Sequence, residues 1–188
     1  MPSSPPPVRS DAKRNRARIL HVANAELTQG DAVPSLAEIA RRAGVGQATA
    51  YRHFPDRRAI ALAVTREQLA VLGDLVEQTE PHNFRWLLEM VLIGQASMRP
   101  LVTLTDQLTD AEREWCTEQV ISALTGPMLR CQAVGGLREG VGPGDLRMVM
   151  TMLEGAIAHA AIEDRSRTAL RAITVLLDGL FSGRPGSD

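Results

Sequence analysis

Apolar positions along this chain recur at three- and four-residue spacing, the period of helices packed on one face. In the N-terminal third the blocks are short. Ile19, Leu20, Ala23 and Leu27 mark the inward face of a helix over about Ala12–Gln29, which Gly30 ends. Leu36, Ile39 and Ala40 mark a second over about Ser35–Arg42, opened by Ser35 as N-cap with Glu38 completing a capping box. Gly44 supplies a left-handed turn, and Val45 tucks back into the core. A third helix, about Gln47–Phe54, is stopped by Pro55, and Asp56 caps the next. Helix, glycine turn and short helix with a polar, basic outer face make a helix-turn-helix, whose second helix is sized for the major groove of DNA.

Further on the blocks lengthen. Ile60, Val64, Leu72, Leu75 and Val76 predict one helix from Asp56 to about Thr79, shared by both parts of the chain and able to act as a lever between them. Its Gly73 is a weak point, costing ~1 kcal/mol relative to Ala. After a turn at 80–83 come helices over Phe84–Met98 and about Leu101–Leu108. Thr109 and Glu112 form a second capping box, opening a helix that Gly126-Pro127 is expected to kink or interrupt before Met128–Val134. A glycine-rich connection, 135–145, precedes helices over about Asp145–Ile162 and Ser166–Leu180. The expected fold is all-α: a three-helix helix-turn-helix domain plus a larger helical body, about nine helices in all. The boundaries are an N-terminal arm at 1–10, the DNA-binding domain at 11–55 and the body at 56–183.

Net charge is −1 and taken alone says little; its distribution says more. Residues 1–66 hold 11 Lys+Arg against 5 Asp+Glu, net +6, while residues 67–188 hold 10 against 17, net −7. A basic head on an acidic body suits a DNA-binding module joined to one that does not bind DNA. Arg9, Lys13, Arg14, Arg16 and Arg18 give the arm and first helix the charge to neutralise phosphates or enter a minor groove. At 188 residues and 44% hydrophobic content the chain can bury a real core. Cys116 and Cys131 make neither a disulfide framework nor a zinc site. Without a signal peptide or an 18-residue apolar run, the expected location is cytoplasmic, with no membrane partner.

Only a few side chains on a short helix reach base edges, and the rest position the protein on phosphates. Gln47, Ala48 and Thr49 stand at the N-terminal end of the third helix, nearest the groove floor. Gln47 suits a bidentate contact to adenine, and Ala48 and the Thr49 methyl suit a thymine methyl. Arg52 suits a guanine or a phosphate, and Ser35 and Arg42 are further phosphate candidates.

The stretch AEIARRAGVGQATAYRHFPDRRAI resembles the DNA-binding signature of the TetR-type transcriptional regulators, through Ile39, Ala40, Ala43, Gly44, Val45, Thr49, Tyr51 and Phe54. The resemblance covers roughly residues 10 to 66; beyond it only the helical layout, the length and the Gly-x-Leu-Arg…Val-x-Pro-x-Asp-Leu linker are similar. It implies that Tyr51, His53 and Arg57 touch the phosphate backbone. The chain departs from the pattern at Leu27, where Phe is common, at Gly46, where Ser is common, and at Arg58, where an acidic residue is common.

The resemblance further implies a homodimer, with the last two helices of each copy packing as a four-helix bundle. Their apolar positions, Leu146, Val149, Leu153, Ile157 and Ala160 on one and Leu170, Ile173, Leu177 and Leu180 on the other, are the expected interface. It also implies a small-molecule effector pocket in the body, with Trp86, Met90, Trp115, Gln119, Met128, Met152 and His159 as candidate lining residues. Met and Trp at helical spacing otherwise simply fill space. No phosphate loop, His-Glu-x-x-His, Gly-x-Ser-x-Gly or clustered Cys/His set is present, so no enzyme, metal or resident cofactor is expected. The expected function is a homodimeric repressor of a palindromic DNA operator, released by an effector. The alternative is a helix-turn-helix factor whose body only dimerises or recruits a partner.

Overall fold

The computed structural model describes residues 8–29, 32–105 and 107–182. Nine α-helices run through them: α1 (Val8–Gln29), α2 (Leu36–Arg42), α3 (Gln47–His53), α4 (Arg57–Glu77), α5 (Phe84–Ser97), α6 (Arg99–Thr105), α7 (Asp110–Ala133), α8 (Pro143–Ala158) and α9 (Arg165–Leu180). One 3-10 turn, Pro81–Asn83, leads into α5 and another, Ile162–Asp164, leads into α9. The architecture is all-α with an N-terminal helix-turn-helix, as the periodicity predicts. Of the expected arm, residues 1–7 lie outside the described residues, and Val8 already opens α1. Gly30, the expected end of α1, lies outside them too.

The chain divides into two compact units. Among the described residues the first, the head, comprises those from Val8 up to Glu67 together with those of Met98–Thr109, so the opening half of α4 and all of α6 belong with the helix-turn-helix. Its core joins Ile19, Ala23 and Leu27 of α1 to Leu36, Ile39 and Ala40 of α2, Ala50 and Phe54 around α3, Ile60 and Val64 of α4, and Leu101 and Leu104 of α6. Among the described residues the body comprises 68–97 and 110–182. Its core is larger and richer in leucine: Leu87, Leu88 and Leu92 of α5, Leu124 and Met128 of α7, and the inward rows of α8 and α9.

Three expectations about the body are corrected. Gly126-Pro127 does not break α7, which runs unbroken from Asp110 to Ala133 with Pro127 inside it. Proline forfeits one backbone hydrogen bond, but Leu124, Met128 and Cys131 on either side of it are buried and hold both halves on the same core. α8 begins at Pro143, not Asp145: proline fits the first helical position, where no N–H bond is needed. Asp145 sits at the third position and reaches back, its Oδ2 accepting from Gly142 N at 2.7 Å.

The third correction concerns the face of α8 and α9. Leu146, Val149, Leu153, Ile157, Ile173, Leu177 and Leu180 are buried in the body's own core. They bind the two helices to α5 and α7 and are not on the surface. Ala160 is half-buried and Leu170 exposed. The apolar side chains these helices turn outward are Met148, Met152, Leu170 and Val175, each more than half exposed.

The end of α9 is fastened to the α7–α8 connection. Arg138 N donates to Leu180 O at 2.9 Å, Arg138 Nε to Phe181 O at 3.1 Å and Nη2 to Asp178 O at 3.1 Å. Arg138 thus satisfies carbonyls that a helix C-terminus leaves open, and its charge opposes the helix dipole there. Phe181 packs on Phe84 with ring centroids 6.0 Å apart, under the Arg85 guanidinium.

Candidate nucleic-acid interface

The helix-turn-helix is fixed by local devices in chain order. Ser35 Oγ accepts from Glu38 N at 3.1 Å, capping α2. The second half of the expected capping box is replaced: the Glu38 carboxylate turns to Arg42 Nη2 at 2.6 Å. Gly44 has φ +62°, the left-handed region, and Gly44 N donates to Arg41 O while Val45 N donates to Ala40 O. The backbone is what demands glycine here; a Cβ would also lie 2.6 Å from Arg18 Nη2, the tip of a flexible side chain that can swing aside. At Gly46 only Thr49 Oγ1, 4.0 Å away, would meet a Cβ, and packing leaves room for the missing serine.

α3 is anchored from one side. Ala50 is fully buried and Phe54 is 1% exposed, and Phe54 N donates to Ala50 O to close the helix. Arg16 of α1 lies over the Phe54 ring, 4.9 Å from its centroid. Asp56 Oδ1 then accepts from Ala59 N at 2.7 Å and opens α4. The opposite side of α3 is open: Gln47, Ala48, Tyr51 and Arg52 are exposed, and Thr49 and His53 half-buried. Ser35 and Arg57 are exposed beside them. Arg52 Nε reaches only a long 3.4 Å contact to Ala48 O.

Arg42 departs from its expected place. Its guanidinium pairs with Glu26 of α1 as well as Glu38. The hydrogen bonds it donates to Glu26 and then Glu38 raise its pKa above the ordinary arginine value. The pairing with Glu26 spans sixteen residues, so no helical spacing announces it. The same holds for Arg16 on Phe54 and Arg18 beside Gly44. A groove of about 400 Å³ also runs along α1, lined by Lys13, Arg16, Ala17, Leu20 and His21, with Glu67 of α4 opposite.

The seven expected pocket residues are not brought together around an enclosed space. Trp86, Met90, Trp115 and Met152 are 49%, 43%, 38% and 54% exposed, Gln119 and His159 are exposed too, and Met128 is completely buried in the core. His159 Nδ1 lies 2.8 Å from Gly155 O, one turn back on its own helix.

A short helix held on one side and open on the other, with amide, hydroxyl and cationic groups on the open side, defines a helix-turn-helix DNA-binding protein. Residues 19–64 match the family of bacterial regulatory proteins named for tetR. Over 137 residues the chain is 27% identical to an uncharacterised HTH-type transcriptional regulator, Mb2274c, of Mycobacterium bovis, covering 69% of this chain and 72% of that one. The TetR transcription regulatory protein of Mycobacterium vanbaalenii is 26% identical, with a TM-score of 0.63 over 94% of this chain and 100% of that one. SmeT, the repressor of the Stenotrophomonas maltophilia multidrug efflux pump SmeDEF, shares the fold at 22% identity and a TM-score of 0.60, over 94% and 96% of the two chains. The helix-turn-helix head thus carries the DNA-binding region of TetR-type regulators, and the chain as a whole is similar to members of that family. Among the described residues no helix is long and apolar enough to cross a membrane.

Proposed function

We propose that this regulator is a homodimeric repressor that reads a palindromic operator through α3 and is released by a small-molecule effector. The observation that carries the DNA reading is the one-sided anchoring of α3 by Ala50 and Phe54, which leaves Gln47, Ala48 and Thr49 free for base edges. Ser35, Tyr51, Arg52, His53 and Arg57 flank them as phosphate contacts. One such helix is too small for tight, specific binding, and a two-fold dimer doubles it across a palindrome. The outward row of Met148, Met152, Leu170 and Val175 supports a dimer face on α8 and α9 in place of the buried row.

Release by an effector requires only that the ligand bind one dimer geometry better than the other. SmeT forms a complex with triclosan, and that precedent on the same fold supports an apolar effector here. The exposure of six of the seven candidate pocket residues favours a second reading, in which the body only dimerises or recruits a partner. A thermal-shift screen of small molecules separates the two: a ligand that raises the melting temperature and lowers operator affinity supports release, and a screen without one supports the second reading.

The DNA reading is tested by selecting duplexes from a random library and titrating variants. Arg57→Ala is expected to weaken binding on all sequences and to lower the salt slope by about one. Gln47→Ala is expected to relax preference at one base pair per half-site, at ~1–3 kcal/mol. Unchanged operator affinity in both would remove α3 as the reader. A sedimentation profile at the monomer mass would remove the dimer.

A further inference from the structure

We infer that Arg42 is a positioning strut, not a phosphate ligand: it ties α2 to α1 and thereby fixes the direction in which α3 faces DNA. The two terminal nitrogens of its guanidinium are divided between two carboxylates. Nη1 faces Glu26 on α1, and Nη2 faces Glu38 one turn back on α2 at 2.6 Å. N–H donors are left over, but the single positive charge is already matched by two carboxylates, so the cluster offers a phosphate no net attraction. Turning it outward would also leave two carboxylates unneutralised in a module that has to approach a polyanion.

The strut answers a mechanical need. α2 has seven residues, and the side chains it buries are Leu36, Ile39 and Ala40. Apolar contacts of that kind hold a helix against its neighbour but are non-directional, and they resist rolling or sliding weakly. The charge-assisted bond from Arg42 to Glu26 crosses from α2 to α1 and is directional, so it sets the register of α2 on α1, while the bond to Glu38, within α2, holds the Arg42 side chain in place. α3 follows α2 through a single turn, so an error in the roll of α2 becomes an error in where Gln47 and Thr49 point.

Two further arginines of α1, both exposed, lie across the same motif. Arg16 covers the Phe54 ring at the end of α3, and Arg18 lies against Gly44 in the turn. The three together grip the beginning, middle and end of the motif. Positive charge in the head thus serves two purposes, and the sequence alone does not sort them.

The inference uses the operator-binding reading only for where DNA lies, and part of its test needs no DNA. In thermal unfolding, Arg42→Ala and Glu26→Gln are expected to be non-additive, the double variant melting no lower than Arg42→Ala alone. Full additivity would overturn the strut. On a selected duplex, Arg42→Ala is expected to weaken binding about two- to fivefold, the range of an exposed ion pair, while the salt slope changes by well under one. Arg42→Lys, which keeps the charge but loses the fork, is expected to restore only part of that loss.

Glu26→Gln gives the sharpest sign. A strut predicts weaker binding, because Arg42 loses a partner. A phosphate ligand predicts tighter binding, because Arg42 is released and an anion is removed. Tighter binding by Glu26→Gln, or a slope lowered by about one in Arg42→Ala, would overturn the inference. Arg57→Ala is the control: an unchanged slope there strikes the interface reading, and the thermal cycle still decides the strut.

Discussion

The two units hold their helices by different means. In the body, α7, α8 and α9 run for 24, 16 and 16 residues, and rows of leucine, isoleucine and valine lock them together. In the head, the two helices that define the motif have seven residues each. Below about 12–15 residues an isolated helix is marginal in water, so α2 and α3 exist only because something outside them holds them. α3 cannot be held by burying more surface, since its outer side has to stay polar for DNA. The solution is a small apolar anchor plus arginines and caps that act at single points. A body of long helices tolerates error in any one contact; a motif of two short ones does not.

The largest test of that contrast is to remove one large core side chain from each unit. Phe54→Ala deletes the anchor at the end of α3 and the ring beneath Arg16. It is expected to cost ~3–5 kcal/mol and to abolish operator binding. Leu177→Ala, at a completely buried position of α9, is expected to cost ~2–5 kcal/mol. The prediction is in how the losses spread. Leu177→Ala is to be buffered by a larger core, and Phe54→Ala is to lower helical content in the head before the body melts. Two transitions by circular dichroism in Phe54→Ala, against one in Leu177→Ala, would bear the contrast out. The reverse pattern would break it.

Next in size is the turn. Gly44→Ala places a Cβ at φ +62° and against Arg18. Left-handed backbone alone costs ~1–2 kcal/mol for a non-glycine residue. The loss should be visible as a lower urea midpoint and weaker DNA binding. Gly73→Ala is the comparison, because a Cβ there meets nothing within 4 Å. It is expected to stabilise α4 by up to ~1 kcal/mol. The same substitution should therefore have opposite signs at two glycines, and equal signs would mean the turn is looser than it looks.

The body has point contacts of its own, among them Arg147 of α8 on Glu114 and Glu118 of α7, Arg85 of α5 on Asp178 of α9, and the clamp at Arg138. Removing its bonds to Phe181 O and Asp178 O leaves α9 without its clamp. Arg138→Ala is expected to cost ~1 kcal/mol, modest for hydrogen bonds from a charged group because the side chain is exposed. Its signature is local: faster amide exchange over the last turn of α9, with α5 and α7 unaffected. Protection lost throughout the body would show the clamp to be structural for the whole unit.

How far the sequence could be read follows the same division. The head was legible because its signals are local: a Ser35 cap, a Gly44 turn, a Pro55 stop and an Asp56 cap, each within a few residues of what it controls. The body's helices were legible from periodicity, but their partners were not. Both Leu146-Val149-Leu153 and Met148-Met152 recur at helical spacing on α8, and a row of apolar residues does not say whether it meets its own chain or another. Pro127 misled because proline's local penalty was weighed without the burial of Leu124, Met128 and Cys131 around it. Trp86 and Trp115 suggested an enclosed pocket by residue type, while their exposure depends on neighbours distant in sequence. The Arg42–Glu26 pair was invisible for the same reason.

The smallest expected effect concerns a side chain inside the body's packing. Cys131 is 2% exposed, and burial pushes its thiol pKa above the ordinary value. Gly136 approaches so closely that a Cβ there would lie 2.5 Å from Cys131 Sγ. Only the thiolate reacts with a disulfide reagent, so at pH 8 the folded chain is expected to show Cys131 labelling far more slowly than the unfolded one. The sign for stability follows. The unfolded chain, with the lower thiol pKa, loses its proton first, so stability falls as pH rises through the ordinary thiol range and is unaffected below it. Replacing Cys131 by Ala removes that pH dependence at the expense of a small cavity. If Cys131 labels at the unfolded rate while the helical signal is intact, the body opens locally around α7, and the picture of a rigid body beside a strut-held head would need to be redrawn.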